Sequence, residues 1–105
     1  MPLISTNRPM ILIEGARWSV GVWMQVADAR PKDFVWVVAT YECVEDLDHP
    51  GEIADQFNAV KIAESNRALL EQAASAKYDE KGIDVLDGKQ DGKAVLRLHS
   101  YDLPG

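Results

Sequence analysis

The chain has 105 residues, enough for one domain around a single hydrophobic core. With 47% hydrophobic and 27% charged residues it has the composition of an ordinary soluble globular protein, and no apolar run approaches the roughly 20 residues that span a bilayer. A net charge of −6 argues against holding a nucleic-acid backbone over a broad surface, because such binding needs Lys and Arg to neutralise phosphates.

Residues 1–9 place Pro2 and Pro9 around polar side chains, which suggests a loose arm. The segment lacks the charged start and long apolar core of a signal peptide, so the cytoplasm is the expected compartment. Met10 to Glu14 suits a short strand, and Glu14-Gly15-Ala16-Arg17 suits a turn. From Arg17 to Ala27 the chain alternates. Trp18, Val20, Val22, Met24 and Val26 share one face; Arg17, Ser19, Gly21, Trp23 and Gln25 share the other. Period-two alternation with a polar second face predicts a half-buried strand. Asp28 to Asp33 is a connection, with Pro31 ending any ladder.

Phe34 to Ala39 is apolar on both faces and suits a central strand. Thr40 can cap a short helix through Leu47, with Val44 and Leu47 toward the core and His49-Pro50-Gly51 as the stop. Ala59 to Lys77 predicts a long amphipathic helix. Ile62, Ala63, Asn66, Leu69, Leu70, Ala73 and Ala76 lie on one side; Lys61, Glu64, Ala68, Glu71 and Ser75 lie on the other. Pairs such as Arg67 with Glu64 and Glu71 have helical spacing and add about 0.2–0.5 kcal/mol each. Ile53, Phe57 and Val60 also have helical spacing but point the opposite way. Either the chain breaks near Asn58, a suitable N-cap, giving a short helix and then the long one, or the front turns are buried on both sides; the break is preferred.

Ile83 to Leu86 suits a strand, Asp87 to Lys93 a turn with two Asp-Gly pairs, Ala94 to His99 a last strand, and residues 100–105 a tail. The sum is one α+β domain. An antiparallel sheet, made of an N-terminal three-stranded meander and a C-terminal hairpin, carries a short and a long helix on one face.

Three stretches carry a family resemblance. Val38-Ala39-Thr40-Tyr41-Glu42-Cys43-Val44-Glu45-Asp46-Leu47 is similar to a strand followed by a Ser-x-Glu-Ala-Leu-like helix start. Ala63-Glu64-Ser65-Asn66-Arg67-Ala68-Leu69-Leu70 is similar to an Asn-Arg helix, and Val95-Leu96-Arg97-Leu98-His99-Ser100-Tyr101-Asp102-Leu103 to a closing strand. In these parts the chain resembles a small bacterial family known as domain of unknown function 1488. The resemblance implies a small α+β domain and brings no activity with it.

No catalytic, metal or phosphate motif emerges. Cys43 is the one cysteine, so no internal disulfide forms, and Cys43 with His49 or His99 makes no recognisable nucleophile or ligand set. No glycine-rich phosphate loop occurs. Asp46, Asp48 and Gly51 match positions one, three and six of a calcium loop, but Pro50 takes the fifth and Phe57 stands where the bidentate Glu belongs. No cofactor or metal is expected. Asn66 on the apolar face either ties the helix to the sheet edge or preceding loop, or joins Arg67 to hold an anion.

Trp23, with Val35 and Val37, marks a candidate contact surface on the side away from the helices, unless residues 1–13 cover it. Glu45, Asp46 and Asp48 form an acidic candidate surface. The favoured expectation is a non-catalytic protein–protein interaction module that self-associates or takes a protein partner. The alternatives are an acidic regulator of nucleic-acid machinery and a small ligand-binding domain or enzyme. Direct nucleic-acid binding through Arg17, Trp23 and Lys32 ranks last.

Overall fold

The computed structural model describes residues 3–15, 17–27, 33–47, 53–81, 86–90 and 93–103. In chain order these form β1 (Leu3–Ser5), β2 (Ile11–Ile13), β3 (Ser19–Val26), β4 (Phe34–Thr40), α1 (Tyr41–Glu45), α2 (Ala59–Ser65), α3 (Arg67–Lys81), β5 (Leu86–Gln90) and β6 (Lys93–Leu98), then a 3-10 turn at Ser100–Asp102. The fold is α+β. One sheet runs β1-β3-β4-β6-β5, with β2 pairing β3 beyond β1 on the same edge.

The meander is present: β2, β3 and β4 pair antiparallel, with Trp23 opposite Trp36 and Val22 opposite Val37. The hairpin of β5 and β6 also forms. It joins the sheet through β6 beside β4, and that pair is parallel, with Val37 opposite Leu96. The sheet is therefore mixed, where the sequence suggested antiparallel pairing throughout. A parallel neighbour needs a crossover, and the helices between β4 and the hairpin supply it. The first hairpin strand lies at Leu86–Gln90, so it includes Asp87-Gly88, expected as turn; residues 83–85 of the expected strand lie outside the described residues.

All three helices cover one face. Val20, Val22 and Met24 of β3, Val35, Val37 and Ala39 of β4, and Leu96 and Leu98 of β6 meet Cys43 and Val44 of α1, Ile62 and Ala63 of α2, and Leu70, Ala73 and Ala74 of α3. Thr40 caps α1 as expected: its hydroxyl accepts from the Cys43 amide at 3.4 Å and donates to the Leu98 carbonyl at 3.0 Å, binding the helix start to β6.

Three expectations are corrected. First, residues 1–9 are not a loose arm throughout. β1 pairs with β3, Leu3 is fully buried, and its amide donates to the buried Ser75 hydroxyl at 3.2 Å. Three residues are too few to show a period, so their strand character depends on the edge of β3 that receives them. The same contact explains why Ser75, assigned to the polar side, is buried. The C-terminal end is likewise structured through Leu103, which packs on the core after the 3-10 turn.

Second, the long helix is two helices. Asn66 leaves helical geometry at φ −117° and ψ 24°, and its side-chain amide donates to the Ile62 carbonyl at 3.0 Å. An Asn side chain that bonds nearby backbone competes with the helix ladder. After this joint Ala74 and Ser75 turn inward and Ala76 outward, so the lid survives with its phase shifted.

Third, residues 53–58 form no short helix ahead of Asn58. Asp55 accepts from the Phe57 and Asn58 amides at 2.8 and 3.0 Å, and Asn58 accepts from the Asp55 amide and donates to the Ile53 carbonyl. These bonds close a turn from 53 to 58 and leave Ile53 and Phe57 exposed. The conflict between two apolar faces disappears because Ile53 and Phe57 are not helical.

Cys43 is fully buried under α1. Burial first, then the Asp102 and Asp46 charges, push its thiol up to about 12. Thiolate is the reactive species, so Cys43 is expected to resist alkylation in the native protein at pH 8 and to react stoichiometrically in denaturant. The raised value also sets a sign: the contribution to stability is complete below the usual thiol value near 9.0 and is lost as pH climbs toward about 12. Melting temperatures of wild type and Cys43→Ala measured across that window should therefore converge; parallel curves would refute the assignment.

Candidate functional site

The strand alternation that buries Val22 and Val37 turns Gly21 and Trp23 of β3, Trp36 and Val38 of β4, and Val95 and Arg97 of β6 to the other side of the sheet. No described helix lies there. Trp36, Val38 and Val95 form a second apolar cluster, with Trp23 and Ile13 packed against it. The Trp23 and Trp36 rings are 4.8 Å apart at 47°. Gly21 makes this arrangement possible because the Trp36 indole lies over its Cα, in space any side chain would need.

The face is apolar in the middle and charged at its ends. Ile4 and Ile11, opposite Gln25 and Gly21, are 47% and 51% exposed along the β1/β2 edge. At one end Lys93 lies 3.6 Å from Asp33, and the Arg8 guanidinium sits 5.1 Å from the Phe34 ring centre. At the other end Arg17 lies 3.6 Å from Glu42.

That second end is hollowed into a cleft of about 380 Å³ at the carboxyl ends of β4 and β6. Arg17, Trp18, Ser19, Thr40, Tyr41, Glu42, Arg97 and His99 line it, with Val38 at its floor. The Arg17 guanidinium lies 4.6 Å from the Tyr41 ring centre and donates to the Tyr41 hydroxyl. Desolvation raises the Tyr41 hydroxyl above its usual value, Arg17 pulls it down, and Glu42 raises it further. Trp18 packs edge-on to Tyr41 at 6.2 Å. The His99 ring accepts from the Asp102 amide and stacks on Tyr101 at 5.0 Å.

The residues singled out from sequence fare differently. Trp23 lies on the outer face as anticipated. Val35 and Val37 do not: both are 2% exposed in the core beneath the helices. The outward residues of β4 are Trp36 and Val38. Because Phe34–Ala39 is apolar on both faces, only the pairing of Trp23 with Trp36 reveals the parity. Asn66 and Arg67 engage different groups. Asn66 binds its own helix, while Arg67 lies 2.8 Å from Glu64 and 3.4 Å from Glu71, the charge seam that helical spacing predicted. Glu45 and Asp46 are exposed at the end of α1, and Asp48 lies outside the described residues. The cleft residues Arg17, Tyr41, Arg97 and His99 were missed as a group because they come from three segments that meet only when β6 lies beside β4.

No family model, curated protein or solved structure matches the chain.

Proposed function

We propose that the protein is a non-catalytic interaction module that associates with a second copy of itself through the outer face of its sheet. One observation carries this: the helix-free face has an apolar cluster around Trp23 and Trp36, continued by the exposed Ile4 and Ile11. An apolar centre within a charged rim matches the anatomy of protein interfaces. Each end carries an ion pair, Arg17 with Glu42 and Lys93 with Asp33. An apolar centre is self-complementary, as a two-fold contact requires.

Light scattering on a dilution series should give a dimer mass at high concentration that falls toward monomer. Ile11→Asp puts a charge on the exposed edge beside the apolar cluster, so the fold should persist while association weakens by about tenfold or more. A monomer mass for the wild type at every concentration would sink the proposal.

A further inference from the structure

We propose that the cleft at the carboxyl ends of β4 and β6 is a binding site for the oxyanion of a small molecule, a phosphate or a carboxylate, held chiefly by Arg97. The cleft lies at one end of the outer face, so the test below separates it from self-association. The chain has a net charge of −6, so an anion is repelled in general and is held only where cations gather locally. Here two arginines face one carboxylate. That carboxylate, Glu42, is already engaged by Arg17 at 3.6 Å.

Arg97 is different. It projects from the exposed face of β6 opposite Val38, and its guanidinium makes no hydrogen bond or ion pair among the described residues. Its planar fork of N–H donors matches an oxyanion in geometry and sign. His99 lines the cleft beside it, its ring held in place by the Asp102 amide and by stacking on Tyr101. Thr40 adds nothing, since its hydroxyl already donates to Leu98 and accepts from Cys43. Trp18 and Tyr41 provide an aromatic wall, and about 380 Å³ exceeds the needs of a bare ion. The ligand is therefore a small molecule with an oxyanion at one end and an apolar body. The location also follows the general tendency of ligands to bind beyond the carboxyl ends of parallel strands, and β4 with β6 is the parallel pair among the described strands.

The test is a titration followed by backbone amide and arginine side-chain NMR, using inorganic phosphate in one arm and acetate in the other, against sodium chloride at matched ionic strength. It is run on the wild type, on Ile11→Asp and on Arg97→Gln. Saturable shifts confined to Arg17, Ser19, Arg97 and His99 are expected in at least one arm, and the arm that saturates at lower concentration names the oxyanion. Ile11→Asp should bind as the wild type does, which separates this site from the dimer contact. Arg97→Gln should keep the wild-type melting temperature and bind about tenfold more weakly or worse. Shifts that stay linear in both arms, lie elsewhere, or persist unchanged in Arg97→Gln would overturn the assignment.

Discussion

Gly21→Val is expected to destabilise the protein by about 3 kcal/mol, lowering the melting temperature by about 10–20 °C. A Cβ at Gly21 would lie 2.1 Å from Cζ2 of Trp36, with Cη2 and Cε2 at 2.6 and 2.7 Å. These atoms belong to a rigid indole, not to the free end of a flexible side chain. The ring is itself held by Trp23 on the neighbouring strand and sits in the cluster with Val38 and Val95. It can yield only by swinging out of that cluster into water. The backbone of Gly21 needs no special conformation, so the cost is steric. Chemical denaturation should show this directly. In a Trp36→Ala background Gly21→Val should cost far less, because the colliding ring is gone. Equal costs in the two backgrounds would show that the indole is not what the glycine accommodates.

Asp102→Ala should cost a similar amount, about 3 kcal/mol. Asp102 accepts from Lys77 Nζ at 2.8 Å and from the His99 amide at 2.9 Å. The side chains of Lys77 and Asp102 are only 11% and 12% exposed, so water screens the pair weakly. Lys77 also donates to the Arg97 carbonyl at 2.8 Å. One ion pair thus binds α3 to the end of β6 and to the 3-10 turn. Removing the carboxylate strands a nearly buried ammonium and frees the turn that seats His99 at the cleft. Lys77→Met with Asp102→Ala should be less damaging than the sum of the single changes, since no unpaired charge remains. A loss below about 0.5 kcal/mol for Asp102→Ala would place the pair among ordinary surface contacts.

The two effects belong to opposite faces of the sheet. The steric fit at Gly21 shapes the proposed self-association surface. The Lys77–Asp102 pair fixes the side that carries the helices and, through His99, one wall of the cleft. Trp36 fluorescence should report the first, and His99 ring signals the second.

What the sequence determined by itself was local. The alternation through Val20, Val22 and Met24 specifies a strand with one buried side, because successive side chains point to opposite faces. Thr40 marks a helix start because its hydroxyl can take an orphan amide. The charges at Glu64, Arg67 and Glu71 form their seam because three and four residues apart are neighbours on a helix. Each of these depends on atoms a few positions away.

Tertiary structure decided the rest. Leu3–Ser5 becomes a strand only because β3 offers an open edge and Ser75 a buried acceptor. The Phe34–Ala39 run leaves its parity open until Trp23 meets Trp36, which puts Val35 and Val37 beneath the helices and Trp36 and Val38 in the second cluster on the other face. The direction of β6 follows from how often the chain crosses the sheet after β4, which no property of Ala94–Leu98 encodes. That direction brings Arg97 and His99 beside Arg17 and Tyr41. A pattern of periods fixes which way a residue faces within its own element; only the partner arriving from a distant part of the chain decides what it faces.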